Sequence, residues 1–144
     1  MTIYIGADHA GYKMKELLKR KLSAWDHRVV DLGARKLVPN DDYPEYATAV
    51  ARAVVAKKGR GILLCGSGVG MCMAANKIPG VRAALGWSEG LARTARTDDD
   101  TNVLCLPARL RTLDPVESIL KVWLKTKFSG AARHKRRLKK VAAL

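Results

Sequence analysis

Along this chain, short runs of consecutive apolar residues alternate with segments whose apolar positions recur every three or four residues. The first pattern predicts buried strands, the second helices with one inward face. Ile3 to Ala7 reads as a strand ending at Asp8, and Met14, Leu17, Leu18, Leu22 and Trp25 stripe the helix that follows. Arg28 to Leu32 predicts a second strand, closed by Gly33. A polar loop with two prolines, Arg35 to Pro44, leads to a second helix lined by Ala47, Val50, Ala51, Val54 and Val55. Ile62 to Cys65 is the third strand and Met71 to Lys77 the third helix. Val81 to Gly86 predicts a fourth strand, and Ser88 an N-cap for a helix from Glu89 to Arg96. Asn102 to Leu106 is a fifth strand, closed by Pro107, and Val116, Ile119, Leu120, Trp123 and Leu124 stripe a further helix.

Repeated strand–helix units predict an α/β fold in three layers, a doubly wound five-stranded parallel sheet with helices on both faces. No break in composition divides the chain, so residues 1–144 read as one domain. In such sheets ligands bind beyond the carboxyl ends of the strands, where the strand order reverses. Those ends carry Asp8-His9, Cys65 to Gly70, and Pro107-Ala108-Arg109.

Cys65-Gly66-Ser67-Gly68-Val69-Gly70 joins a strand to a helix through a glycine-rich turn, which presents backbone N–H groups to negative charge. It is not a phosphate-binding P-loop, because Met71 and Cys72 stand where lysine and serine or threonine belong. It is also a poor dinucleotide fingerprint: Met71 holds the third glycine's place, and no acid ends the next strand. A cysteine at a strand end is commonly a small buried hydrophobe. Beside a helix N-terminus it gains thiolate character and becomes a usable general base. Cys72 and Cys105, mid-helix and mid-strand, read as packing residues.

Composition narrows the setting. Hydrophobic residues make up 48% of the chain, too many for a disordered one, and no apolar run approaches a membrane span. Three cysteines without metal-ligand spacing, and no signal peptide, predict a reduced, cytoplasmic protein. Charge changes the picture more. Lys and Arg number 27 against 13 acids, a formal +14, and the excess is concentrated in Arg133-His134-Lys135-Arg136-Arg137-Leu138-Lys139-Lys140. That segment reads as a solvated basic helix or tail, a phosphate clamp, or a nucleic-acid patch. Phe128 is the only aromatic close to it, which leaves the nucleic-acid reading without a stacking platform.

Gly6-Ala7-Asp8-His9-Ala10-Gly11, Asp42-Tyr43-Pro44, the Cys65 to Gly70 loop with Ala74-Ala75-Asn76-Lys77, Gly80-Val81-Arg82-Ala83-Ala84, Thr101-Asn102-Val103-Leu104 and Arg133-His134-Lys135-Arg136-Arg137 occur in that order. Together they resemble the family of type B ribose-5-phosphate isomerases and galactose-6-phosphate isomerase subunits. The resemblance implies a Rossmann-like sheet, a homodimer or homotetramer with active sites at subunit interfaces, and no cofactor or metal. It also implies aldose–ketose isomerisation of a sugar phosphate through a cis-enediolate. Cys65 would be the base, since Met71 stands where some members carry a glutamate. Ser67 would move protons between the two oxygens, and the amides of Gly66, Gly68, Val69 and Gly70 would form the oxyanion hole. Asp8 and Tyr43 would hold the sugar. His9, Arg109, Arg133 and Arg137 would grip the phosphate, some from the partner subunit, which the segment 130–144 would reach.

Two departures stand out. Where the family usually carries a His-Asn pair, thought to open the furanose ring, this chain has Asp98 and Asp99. An ordinary carboxyl is a poor acid at neutral pH. Asp98 therefore acts in a special setting, another group opens the ring, or the preferred sugar differs, as in an allose 6-phosphate or galactose 6-phosphate isomerase. Gly130-Ala131-Ala132 also replaces a Gly-Gly pair before Arg133. His27, among polar neighbours, reads as plain surface.

Overall fold

A computed structural model describes residues 1–144. The elements run β1 (Thr2–Ala7), α1 (Tyr12–Ala24), β2 (Arg28–Asp31), α2 (Tyr43–Lys57), β3 (Arg60–Cys65), α3 (Val69–Ala75), β4 (Ala83–Leu85), α4 (Glu89–Thr97), β5 (Val103–Pro107), α5 (Val116–Lys125) and α6 (Ala132–Val141). The five strands form one parallel sheet in the order β2-β1-β3-β5-β4, so the direction of winding reverses between β1 and β3.

The alternation of side chains along each strand builds two cores, one on each face. Ile3, Ile5, Ile62, Leu64, Leu104 and Leu106 pack under α1, α4 and α5, with Trp123 wholly buried among them. Tyr4, Leu63, Cys65, Val103 and Cys105 point the other way, against Val50 and Val54 of α2 and Met71 and Ala75 of α3. The central strands are covered on both faces, which is why they read as unbroken apolar runs. The Rossmann-like α/β fold expected from the pattern is the fold observed.

The differences lie at element ends. The fourth strand is shorter than Val81 to Gly86 because two side chains take over its first amides. Arg82 N–H donates to Asn102 Oδ1 at 2.8 Å and Ala83 N–H to Asn76 Oδ1 at 2.8 Å, so pairing with β5 begins at Ala83, while Gly86 N–H still donates to Cys105 O at 2.7 Å. α2 starts earlier, at Tyr43, where Pro44 suits a first helical turn. The basic segment after Gly130 is a helix, α6. His27 is half-buried rather than plain surface: its Nδ1 has no hydrogen-bond partner, and burial pushes its pKa down. Cys72 and Cys105 do pack inside, and burial drives the Cys105 thiol well above the usual range. No helix is long and apolar enough to cross a membrane.

Candidate active site

β1, β3 and β5 are neighbours in register, so their carboxyl ends meet along one edge of the sheet. Asp8 N–H donates to Leu64 O at 3.3 Å, Ala108 N–H to Cys65 O at 2.9 Å, and Arg109 N–H to Gly66 O at 3.0 Å. These bonds hold the segments after β1 and β5 against the cysteine–glycine turn between them. Asp8 is buried and accepts from Gly11 N–H at 3.1 Å.

Cys65 is 4% exposed, and its Sγ accepts the Gly68 N–H at 3.1 Å. The turn is possible because Gly68 adopts φ +79°, a left-handed conformation that L side chains resist. Val69 N–H donates to Ser67 Oγ at 3.2 Å. The amides of Gly68 and Val69 are therefore already engaged inside the loop. Those of Ser67 and Gly70 have no such partner. Gly70 is needed for a different reason: a Cβ there would lie 2.7 Å from Cζ of Tyr43, whose ring packs on the loop from the start of α2.

His9 is held by a residue the sequence motifs did not single out. Asp41 Oδ1 accepts both the His9 backbone N–H at 2.7 Å and the ring Nδ1 at 2.9 Å, while Asp41 Oδ2 accepts from Tyr46 Oη at 2.9 Å. Burial alone would raise the Asp41 carboxyl, but these donors outweigh it and hold it below the ordinary range. A carboxylate on Nδ1 leaves Nε2 of His9 for a ligand. Nothing in the periodicity marks Asp41; its place in the polar loop beside Asp42-Tyr43 is the only hint.

Beneath the end of β2, on the same edge, Lys15 is fully buried with its Nζ on Asp31 Oδ2 and Ala34 O, each at 2.7 Å. Lys19 reaches the same Asp31 oxygen at 2.6 Å, and Gly33 N–H donates to the other at 2.9 Å. Burial would raise Asp31, yet the two ammonium groups and the amide lower it overall. This network braces the rim of the site.

The remaining expected residues are elsewhere. α4 runs back under the sheet, so Asp98 and Asp99 follow it at the opposite edge, where the strands begin. Ser129 N–H donates to Thr97 O at 3.0 Å, which brings the start of α6 to the same place. There His134, 4% exposed, pairs its Nδ1 with Ser129 Oγ at 2.8 Å and lies 3.8 Å from Asp98 Oδ1; its Nε2 accepts from Arg133 Nε at 3.1 Å. Asp98 also accepts from Thr97 Oγ1 at 2.8 Å and remains 43% exposed. Asp99, Arg133 and Arg137 are exposed, and the two arginines share a face of α6 at a spacing of four. Of the acid triplet, Asp100 is the one committed to the fold, bridging Arg82 at 2.9 Å and Arg96 at 2.8 Å.

One chain thus gathers Asp8, His9, Tyr43, Cys65 to Gly70 and Arg109 at one edge, and Asp98, Asp99, Arg133 and Arg137 at the other. Nowhere do three or more His, Cys, Asp or Glu side chains converge in a way that could hold a metal ion.

Known proteins share both the sequence and this architecture. The probable ribose-5-phosphate isomerase B of Mycoplasma genitalium is 45% identical over 142 residues, covering 97% of this chain and 93% of that one. Ribose-5-phosphate isomerase B of Mycobacterium tuberculosis is 40% identical over 96% of this chain and 86% of its own. Among solved structures, that of the Clostridium thermocellum ribose-5-phosphate isomerase B superposes with a TM-score of 0.94 at 39% identity, over 99% of this chain and 96% of that one. The Mycoplasma genitalium enzyme with bound ribulose 5-phosphate does so with a TM-score of 0.92 at 44% identity, over 99% and 94%. Residues 3–141 match the ribose/galactose isomerase family, and the chain belongs to it.

Proposed function

We propose that this protein interconverts ribose 5-phosphate and ribulose 5-phosphate. The observation that carries this reading is the edge formed by β1, β3 and β5. A buried cysteine there receives a backbone donor at its sulfur, and main-chain bonds hold the segments that carry Asp8, His9 and Arg109 beside its turn. The relative solved with ribulose 5-phosphate supports the choice of sugar.

Isomerisation moves one proton from C2 to C1 and one between the two oxygens. Cys65, as thiolate, takes the C2 proton and returns it to C1 of the cis-enediolate. The Gly68 N–H aimed at its sulfur is the donor such an anion needs. Negative charge developing on the enediolate oxygens falls to the amides of Ser67 and Gly70, which the loop leaves free, rather than to those of Gly68 and Val69. Ser67 Oγ relays the proton between O1 and O2. Asp8 and the Tyr43 ring orient the sugar, and His9 and Arg109 meet the phosphate from the same chain.

Arg133 and Arg137 complete the phosphate grip from a second copy of the chain, and Asp98 and Asp99 reach the sugar from that copy as well. Asp98, beside His134, stands as the group that opens the furanose ring. A homodimer is the smallest assembly that joins the two edges.

The test is a panel of ribose 5-phosphate, allose 6-phosphate, galactose 6-phosphate and free ribose, with solvent-isotope exchange at C2. Turnover fastest on ribose 5-phosphate, with exchange abolished in Cys65→Ala, is expected. Preference for a hexose phosphate would move the assignment to that sugar, and exchange retained in Cys65→Ala would remove the cysteine as base.

A further inference from the structure

The proposed reaction uses three of the chain's 27 lysines and arginines from each subunit to grip phosphate, and most of the remaining excess is unexplained by it. One group of these cations lines a concavity. Under the first residues of β1, β3 and β5, at the opposite end of the sheet from Cys65, Thr2, Lys58, Gly59, Arg60, Arg82, Arg96, Asp100 and Asn102 surround a pocket of about 250 Å³. Four cationic side chains there face one carboxylate.

That carboxylate is already shared. Arg82 NH2 donates to Asp100 Oδ2 at 2.9 Å, and Arg96 NH1 to Asp100 Oδ1 at 2.8 Å. Arg60 has no carboxylate at all. Its NH1 donates to the carbonyls of Trp123 at 3.0 Å and Leu124 at 2.8 Å, at the end of α5, and its guanidinium lies over the Trp123 ring. These bonds use NH1 alone and leave Nε and NH2 without a protein partner at a residue that lines the pocket. Lys58, exposed at the left-handed end of α2, has no ion pair. Half-burial and the nearby Arg96 push the Arg60 pKa down to about 10. A bound anion would relieve that repulsion.

We infer that this pocket is a second anion site, which takes the phosphate group of a small molecule. Arg96 is committed through Nε and NH1 to Thr126 O, Asp100 and Thr101 O, so Lys58, Arg60 and Arg82 carry the donors left over, and such donors suit the several oxygens of a tetrahedral phosphate. The cleft also leaves room beyond the phosphate for the body of a small metabolite. Within one chain the site lies at the start of β3 and Cys65 at its end, so a phosphate bound here does not touch that chain's own catalytic edge.

Inorganic phosphate is the probe. Calorimetric titration of the Arg133→Ala/Arg137→Ala protein, in which only His9 and Arg109 of the proposed catalytic grip remain, is expected to retain one phosphate per chain. Amide shifts should appear at Gly59, Arg60 and Asn102 in its ¹⁵N spectrum. Lys58→Gln, at an exposed position that leaves the fold alone, should weaken this binding roughly five-fold, the size of one partly exposed charge contact. Arg60→Gln should abolish it. Should Arg60→Gln fail to fold, Lys58→Gln and the amide shifts still decide. Loss of all phosphate binding in the double variant overturns the site, as do shifts confined to the residues after β1, β3 and β5, or an affinity indifferent to Lys58.

Discussion

The two ends of the sheet are built by different means. The carboxyl edge is a main-chain construction: bonds between Asp8, Leu64, Cys65, Gly66, Ala108 and Arg109 are backbone to backbone, and a glycine at φ +79° shapes the turn. The opposite edge is a side-chain construction, in which Asp100 ties Arg82 to Arg96 and His134 ties Ser129 to Arg133 beside Asp98. Parallel strands in register hold the first arrangement rigidly, as a base and an oxyanion hole require. The second rests on long polar side chains at a helix end and the start of another, a form suited to gripping a ligand presented by a second subunit. The difference teaches that in this fold main-chain bonds fix the groups at the strand ends, whereas side-chain bonds fix those at the helix ends.

The sharpest way to break the comparison is Cys65→Ala. Removing a general base lowers turnover by about 10²- to 10⁴-fold, with the fold retained. Arg137→Ala, at the other edge, should be inactivated at low substrate for a different reason. If the edges come from different subunits, mixing the two inactive proteins under exchange restores about a quarter of wild-type activity, because half the dimers are mixed and each has one intact site. No recovery would place both edges in one subunit's site.

Next in size is Asp31→Asn, which removes the nearer carboxylate of the fully buried Lys15 and leaves it only Glu16 Oε1 at 3.2 Å. Breaking such a pair costs about 3 kcal/mol, read as a shift of the urea midpoint. Asp31 is held below its ordinary 3.8, so its contribution is complete above that pH and is lost as pH falls through the lower folded value. The wild-type stability should therefore fall more steeply in acid than that of Asp31→Asn. Parallel curves would show that the network adds nothing.

At the recognition edge, His134→Ala releases Arg133 and should raise KM about ten-fold, with kcat within two-fold and the inhibition constant of inorganic phosphate rising in parallel. His134→Gln, which can still accept from Arg133, should recover most of the loss. A fall in kcat alone would move His134 into the chemistry. The smallest effect is expected for Asp98→Asn: a few-fold slower reaction from the closed furanose than from an open-chain analogue. Equal loss on both would end its ring-opening role.

Much of this was readable beforehand, for identifiable reasons. The apolar runs ending at Ala7, Cys65 and Leu106 predicted the central strands, and with them the grouping of Asp8-His9, Cys65 to Gly70 and Arg109, because doubly wound sheets bring central strand ends together. The early boundary of β4 was not readable. It depends on Asn76 and Asn102, whose side-chain oxygens take strand amides from seven and twenty residues away, outside any periodic pattern. Asp41 escaped as well, since it meets His9 across 32 residues from a loop without periodicity. Asp98 and His134 were noticed as isolated residues, but their proximity depends on Ser129 docking on the end of α4.

By itself, then, the sequence determined the layered fold, the grouping of residues at the strand ends and the family. Hydrophobic period and turn residues act locally and leave their mark in consecutive positions. Only the tertiary structure decided which amides of the glycine loop stay free, which carboxylate holds His9, and that the two groups of site residues lie at opposite ends of one chain. The loop amides are set by bonds two and three residues apart in a turn whose shape Gly68 permits, and the other two outcomes by contacts between residues far apart in sequence, whose geometry exists only once both cores have closed.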